Sequence, residues 1–193
     1  SAASDVYKRQ KLPSNLMQRI LQTIVPFIEA EQWQEALLAM EPVAMPDSKF
    51  TSTDRAKMYY YQGYIYFSQE KYGLAETAYK NLIAEEDSND QERQGAIYSL
   101  SQLAYIAEDY KKSIGYLLEW LDNEEEPSSD GYGLLAQAYY QIEDFQNSVK
   151  SIDTAIEIQE SRDIPIKVAV LDEEGNETGE MIETGETKKG VAK

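Results

Sequence analysis

Cysteine and histidine are both absent from the 193 residues of this chain. Their absence excludes thiol nucleophiles and imidazole bases, and it removes the usual protein ligands of zinc, copper and haem. Any catalysis would have to use carboxylates, lysine, tyrosine or serine. We therefore predict no cofactor, no metal site and no catalytic residues. A hydrolase that uses paired carboxylates is kept as the alternative, since spacing alone does not exclude it.

Long hydrophobic runs are also missing, and basic residues are few. No stretch approaches the ~20 apolar residues that a membrane-spanning helix needs, which predicts no membrane insertion. The 18 Lys and Arg against 35 Asp and Glu give a net charge of -17. Because such a field repels phosphate backbones, and no basic stripe is present, we predict no nucleic-acid partner. The acidity is interpreted as a solvated surface, with a basic protein partner as the alternative.

The first ten residues, SAASDVYKRQ, do not resemble the rest of the chain. Residues 5–10 match one translation frame of the transposon end that is used as a sequencing-library adapter. We interpret residues 1–10 as an adapter-like artefact, with a disordered tail as the alternative, and leave them out of the fold prediction. A helical domain is then expected at 11–163 and a separate tail at 164–193.

A short pattern recurs along the helical domain at a nearly constant interval. Each copy has a polar turn, an aromatic residue and a small residue three positions later: Trp33 with Ala36, Tyr72 with Ala75, Tyr110 with Ser113, and Phe145 with Ser148. The small residues are separated by 39, 38 and 35 positions. Small residues let two helices cross closely, while aromatic residues and leucines fill the space beside them.

These segments resemble tetratricopeptide repeats, each of which is a pair of antiparallel helices about 34 residues long. The second copy matches best, with Tyr59, Gly63, Tyr66, Ala75, Tyr79 and Leu82 at the family's positions. The first copy is weakest, because Pro26 should kink or distort its first helix. One helix pair cannot bury its apolar face alone, so the resemblance implies an all-α solenoid of about four stacked pairs.

Polar residues predict where the helices begin. Thr53 and Asp54 are expected to cap a helix that starts near Arg55, and residues 87–90 and 127–130 read as loops with capping residues. The expected helices are 14–29, 32–44, 54–69, 72–85, 91–107, 110–123, 130–142 and 145–160.

The tail follows a different period. Ile166, Val168 and Val170 alternate with other residues as in a strand, residues 172–179 form a polar turn, and residues 180–183 can return as a second strand. A lone hairpin is only marginally stable, so the tail is predicted to be a β-hairpin-like insertion or a flexible end. The acidic runs at 85–87, 124–126 and 172–177 are interpreted as solvated loops rather than cation sites.

The resemblance also implies which residues line the concave face, since the first helix of each pair supplies it. A surface rich in tyrosine and glutamine suits a peptide or protein partner, because tyrosine gives a rigid contact area with a polar end. The alternative is that several of these rings pack inside the array. The candidate partner-binding residues are Tyr60, Tyr64, Phe67, Tyr98, Gln102, Tyr105, Gln137 and Tyr140.

Residues 59–167 are similar to a narrower group, the periplasmic tetratricopeptide proteins encoded beside TonB-type energy-transduction systems of Gram-negative bacteria. The matching segments are YYYQGYIY at 59–66, SQLAY at 101–105, LEWL at 118–121 and LAQAYY at 135–140. The resemblance implies a binding scaffold that is an accessory of a TonB-dependent transport complex in the periplasm, with the cytoplasm as the alternative location. A self-assembling scaffold is the alternative function, because a truncated array leaves one apolar end uncapped.

Overall fold

The computed structural model describes residues 11–161 and 164–188, and this part of the chain contains eight α-helices followed by two antiparallel strands. The helices form antiparallel pairs, which confirms the predicted fold class. Each helix lies within two residues of its expected bounds. The elements are α1 (Asn15–Glu29), α2 (Trp33–Ala44), α3 (Ser52–Ser68), α4 (Tyr72–Ala84), α5 (Asp90–Ile106), α6 (Tyr110–Asn123), α7 (Ser129–Gln141), α8 (Phe145–Glu160), β1 (Ile164–Leu171) and β2 (Glu177–Lys188).

Two compact units make up the chain, and the boundary follows Glu124. The first unit contains α1 to α6, and the second contains α7, α8 and the strands. The prediction for residues 1–10 lies outside the described residues. None of the described helices has both the length and the hydropathy of a membrane span.

The core of the first unit passes from one helix pair to the next. Met40 of α2 is buried in one cluster with Met58 and Ile65 of α3. Tyr79 of α4 is buried in a second cluster with Leu100 of α5. Each second helix therefore packs on the first helix of the following pair, which gives the continuous interior of a repeat array.

The small residues of the pattern lie where paired helices cross. Ala36, Ala75 and Ser113 are fully buried. The hydroxyl of Ser113 donates a 2.8 Å hydrogen bond to the carbonyl oxygen of Ser101, and Ser148 does the same to Ala136. Residues any larger than these would separate the two backbones, so the pattern is explained by close crossing.

A glutamate in the left-handed region ends the first helix of every described pair. Glu31, Glu70, Glu108 and Glu143 have φ between 56° and 62°. In the turn between α5 and α6, the amide of Glu108 donates to the carbonyl oxygen of Tyr105. The amide of Asp109 donates to the carbonyl oxygen of Ala104, and both distances are 2.9 Å. This is the hydrogen-bond pattern of a Schellman cap, which ordinarily has glycine at the left-handed position. Nothing in the structure explains the choice of glutamate.

Asp54 takes part in the cap of the third helix as predicted, but Thr53 does not. α3 is capped by Thr51, whose hydroxyl accepts the amide of Asp54 at 3.2 Å while the Asp54 carboxylate accepts the amide of Thr51 at 3.0 Å. Thr53 is instead buried in the first turn. Pro26 lies inside α1, which continues to Glu29 as predicted, and the distortion expected there stays a prediction.

Buried carboxylates in the first turns of α3 and α5 join successive first helices. Asp54 accepts the amide and the hydroxyl of Ser14, the N-cap of α1, at 2.8 and 2.7 Å. Glu92 occupies the same position in α5, and its carboxylate pairs with Lys57 of α3 at 2.9 Å. A capping carboxylate thus also fixes each first helix to the one before it.

In the second unit, the prediction that the tail forms two strands is confirmed. β1 pairs antiparallel with β2, with Val168 opposite Ile182. β2 is longer than the four residues predicted for it and extends to Lys188. The connecting loop is closed by Asp172, whose carboxylate accepts the amides of Glu174 and Asn176 at 2.9 and 2.8 Å. This local turn chemistry accounts for the acidic run, because Asp172 serves the backbone of its own loop.

Candidate protein-interaction surface

Two exposed tyrosines on α3 form the centre of the candidate site in the first unit. Tyr60 and Tyr64 are 41% and 48% exposed, although Met58 and Ile65 of the same helix are fully buried. They lie four residues apart and therefore share one face of the helix. Exposed rings of this size on a helix that is otherwise held by its neighbours give a rigid contact surface.

Neighbouring aromatic rings fix the orientation of this pair. Tyr64 makes an edge contact with Trp33 of α2, with ring centroids 6.3 Å apart. Tyr60 makes a similar contact with Tyr61 at 5.1 Å. We call Tyr60, Tyr64 and Trp33 the α3 aromatic surface. Sequence reasoning used Trp33 only to mark the repeat, and its aromatic character at the start of α2 was the available signal.

Phe67 and Tyr105 are half-buried, and each ring contacts an aromatic residue five positions later. Phe67 pairs with Tyr72 at 5.7 Å, and Tyr105 pairs with Tyr110 at 5.2 Å. Each pair joins the end of a first helix to the start of the second helix. Part of each ring is therefore covered inside its own repeat. The rings of Phe67 and Tyr105 leave less surface open to a partner than those of Tyr60 and Tyr64.

The candidates on the middle of α5 are less open than those on α3. Tyr98 is half-buried, and its ring lies 5.1 Å from that of Trp120 on α6. Gln102, one turn further along α5, is also half-buried. The signal for the Tyr98 contact was the tryptophan late in α6, within the LEWL segment at 118–121.

Gln137 and Tyr140 lie on α7, in the second unit, and both are exposed. Tyr140 makes an aromatic contact with Phe145 at 5.4 Å, which repeats the arrangement of Tyr105 with Tyr110. Their proposed role in binding stays a prediction, as it does for the six candidates of the first unit.

The acidic run at 85–87 is occupied by contacts within the first unit. Glu85 accepts the Nε of Arg55 and the hydroxyl of Ser52, both at 2.9 Å. Asp87 pairs with Lys11 at 2.9 Å. These partners explain the run as an inter-helix contact, and no group of three or more acidic residues in the described ranges is placed to hold a metal ion.

The pKa values of Asp54, Glu76 and Asp172, all in the described part of the chain, are shifted downward. Burial tends to raise the pKa of Asp54, but its hydrogen bonds from Ser14 and Thr51 outweigh burial and lower it. Hydrogen bonds from Lys80 and Lys112 lower the pKa of Glu76. Hydrogen bonds in its own loop, led by the Asn176 amide, lower the pKa of Asp172. A carboxylate hydrolase needs an acid with a raised pKa, so these groups give that alternative no support.

A surface pocket of about 310 Å³ lies away from the α3 aromatic surface, among α4, α5 and α6. Its lining mixes two isoleucines with charged and amide side chains. Arg93, which is part of the lining, is already paired with Asp90 and with the carbonyl oxygen of Ser88. The pocket therefore offers no unpaired guanidinium for an anionic ligand.

No protein-family model matches the chain, and no curated protein matches it. Solved structures do match. The crystal structure of MamA aligns over 75% of this chain and 78% of that chain, with a TM-score of 0.62 and 18% identity. MamA 41-end from Desulfovibrio magneticus RS-1 aligns over 77% of this chain and 78% of that one, with a TM-score of 0.62 and 16% identity. At such low identity the likeness concerns the fold alone, and it confirms the prediction of tetratricopeptide-type helix pairs.

Proposed function

We propose that this chain is a protein-interaction module whose first unit binds a peptide or protein segment on the α3 aromatic surface. The observation that carries the proposal is the exposure of Tyr60 and Tyr64, of which Tyr64 is in edge contact with Trp33. Large rings that are held in place lose little conformational entropy on binding, and tyrosine hydroxyls can pair with a peptide backbone. Phe67, Tyr98, Gln102 and Tyr105 are proposed to extend the contact along α3 and α5.

Selection of binding peptides from a displayed random library on the immobilised chain tests this proposal. Enriched peptides are expected to lose at least tenfold in affinity, about 1.4 kcal/mol, for the double variant Tyr60→Ala/Tyr64→Ala. The matched control is Leu38→Ala/Leu74→Ala, which removes two equally exposed apolar side chains from second helices and should change the affinity less than twofold. Equal binding to both double variants, or no enrichment at all, would contradict the proposal.

We further propose that the partner belongs to a TonB-dependent transport complex and that the chain acts in the periplasm. The support is the resemblance of residues 59–167 to periplasmic tetratricopeptide proteins of such systems. Immobilised chain should retain components of a TonB-type complex from detergent-solubilised envelopes of a Gram-negative bacterium, and Tyr60→Ala/Tyr64→Ala should retain less. Recovery of no envelope protein at any salt concentration would contradict the partner. Fractionation that places the native protein in the cytoplasm would contradict the location.

A further inference from the structure

The surface pocket among α4, α5 and α6 has an apolar floor and a polar rim. Its volume is about 310 Å³, and its apolar lining consists of Ile97, which is 7% exposed, and the half-buried Ile83. Pockets that hold whole small molecules measure about 300–1,000 Å³. This pocket lies at the lower end of that range, so it suits one long side chain whose aliphatic part packs on the two isoleucines.

Two amide side chains on the rim use their donors on α6 itself. The Nε2 of Gln94 donates to the carbonyl oxygen of Trp120 at 2.9 Å and to the carboxylate of Glu124 at 3.3 Å. The Nδ2 of Asn123 donates to the carbonyl oxygen of Glu119 at 3.1 Å. The Oε1 of Gln94 and the Oδ1 of Asn123 accept no hydrogen bond from another described residue, which leaves both oxygens as acceptors for a ligand.

The carboxylate of Glu119 adds a negative charge beside these two acceptors. Its side chain is exposed and has no hydrogen-bond or ion-pair partner among the described residues. The other two charged residues of the lining, Asp90 and Arg93, pair with each other, and Arg93 also donates to the carbonyl oxygen of Ser88. The lining therefore carries one uncompensated negative charge.

The end of α6 strengthens this preference for a cation. Glu119 and Asn123 belong to the last turns of α6, which ends at Asn123. The carbonyl groups at the C-terminus give that end of a helix a partial negative charge, so cations are stabilised there. An anion would be repelled by the same charge. The pocket thus combines an apolar floor with a rim that selects positively charged donors.

Among cationic side chains, arginine matches this lining best. Its guanidinium group carries five N–H donors in one plane and can reach acceptors on α5 and α6 together, whereas the lysine ammonium group is a compact and strongly hydrated point charge. The arginine stem can pack on apolar surface while its charged end stays at the rim. The net charge of -17 also attracts a basic partner and opposes the approach of a second copy of this chain.

We propose that this pocket binds an arginine side chain of another polypeptide, with the stem on the two isoleucines and the guanidinium group at Gln94, Glu119 and Asn123. The site shares no residue with the α3 aromatic surface. It is therefore a second contact point of the first unit, and it does not depend on the function proposed for the tyrosines.

Blocked tripeptides that present one side chain between two glycines test the proposal with the full chain. The central residue is arginine, lysine, norleucine or citrulline, which has the shape of arginine without its charge. Binding is followed by the backbone amide NMR shifts of the isotope-labelled chain. Glu119→Gln removes the unpaired carboxylate of the pocket, and Glu41→Gln makes the same change at an exposed glutamate of α2. Since both variants change the net charge equally, they separate the pocket from general attraction to an acidic protein.

The arginine peptide is expected to shift the amides around Ile97 and Asn123 and to bind about threefold or more tightly than the other three peptides. Glu119→Gln should weaken its binding by about threefold, as for a partly exposed ion pair, and Glu41→Gln should leave it unchanged. Tyr60→Ala/Tyr64→Ala should also leave it unchanged, so a failure of the α3 aromatic surface is distinguishable from a failure of this site.

Equal affinity for the arginine and citrulline peptides, equal effects of the two glutamine variants, or no shift at the pocket would overturn the proposal. Tighter binding of free arginine than of the blocked peptide would show that the pocket takes a small molecule and would also overturn it. Sedimentation of the chain without peptide is the second readout, and a monomer is expected. Dimers that dissociate when the arginine peptide is added would show that a second copy fills the pocket, which would equally overturn the proposal.

Discussion

The ring of Tyr79 lies against the backbone of Gly63, so close that a Cβ on residue 63 would stand 2.6 Å from Cε1 of the ring. Gly63→Ala should therefore destabilise the first unit by about 1–2 kcal/mol, because overpacking outweighs the better helix propensity of alanine. Gly63→Ala should cost less free energy of unfolding when residue 79 is already leucine. The double variant Gly63→Ala/Tyr79→Leu should therefore differ less from Tyr79→Leu than Gly63→Ala differs from the unmodified chain. Urea unfolding of the four proteins measures the coupling.

The control for this prediction is Gly115→Ala on α6. A Cβ at Gly115 meets no atom within 4 Å, so alanine should stabilise the chain by about 0.5–1 kcal/mol. A loss at Gly115 similar to that at Gly63 would show that the close contact with Tyr79 is not the cause.

The Asp54 carboxylate should make stability depend on pH. Hydrogen bonds from Ser14 and Thr51 outweigh burial and lower the pKa of Asp54 in the folded chain. The ionised carboxylate therefore stabilises the fold above the ordinary Asp pKa of about 3.9. This stabilisation is lost as the pH falls through the pKa of Asp54 in the folded chain. Asp54→Asn should cost about 1–3 kcal/mol at pH 7 and less at pH 3.

Urea unfolding of the unmodified chain and of Asp54→Asn at both pH values gives this difference. Asp122→Asn, on the exposed side of α6, is the matched control and should change little at either pH. An equal penalty for Asp54→Asn at pH 7 and pH 3 would show that its ionised form does not hold α1 to α3.

The left-handed glutamates should be sites where glycine stabilises. Glu108 has φ 60°, which costs an L-amino acid free energy that glycine does not incur, so Glu108→Gly should raise the free energy of unfolding by about 0.5–1 kcal/mol. Glu119→Gly, in the interior of α6, should lower it by about 1 kcal/mol. Thermal unfolding of both variants shows whether the two changes in free energy of unfolding have opposite signs. A lower free energy of unfolding in both variants would refute the capping role of residue 108.

The Lys57–Glu92 pair should show strong coupling. The Glu92 side chain is 9% exposed, and one of its carboxylate oxygens is buried without a hydrogen-bond partner. Removing the ammonium group by Lys57→Met should cost about 1–3 kcal/mol, because the carboxylate then stays buried with less compensation. The double variant Lys57→Met/Glu92→Gln should lose less free energy of unfolding than the sum of the losses of the two single variants. Additive losses in urea unfolding would mean that the two groups do not stabilise each other.

Periodicity was sufficient to predict the helices and their pairing, because the small residues of the repeated pattern, such as Ala36 and Ser113, recur where two backbones approach closely. The N-cap residue of α3 was missed because Thr51 and Thr53 both lie near the start of the helix. Thr51 has Asp54 three residues later and can form a reciprocal capping box, while Thr53 has Ala56 there and cannot. That distinction was present in the sequence.

Ring exposure was harder to predict from sequence, because it depends on which residue of another helix lies beside each ring. Tyr60 and Tyr98 are equivalent by repeat position. Tyr60 is 41% exposed, while Tyr98 lies beside Trp120 of α6 and is half-buried. The glutamates with positive φ were unpredictable for a different reason, since glutamate has no preference for the left-handed region.

Fluorine NMR of chains that carry 3-fluorotyrosine at single positions tests most directly that Tyr60 and Tyr64 form an open surface for another polypeptide. Labels at these two positions should show a solvent isotope shift between H2O and D2O, and they should move when a selected peptide is added. A label at Tyr79, which is 6% exposed, should show no isotope shift and should move little. Signals from Tyr60 and Tyr64 that behave like that of Tyr79 would contradict the account.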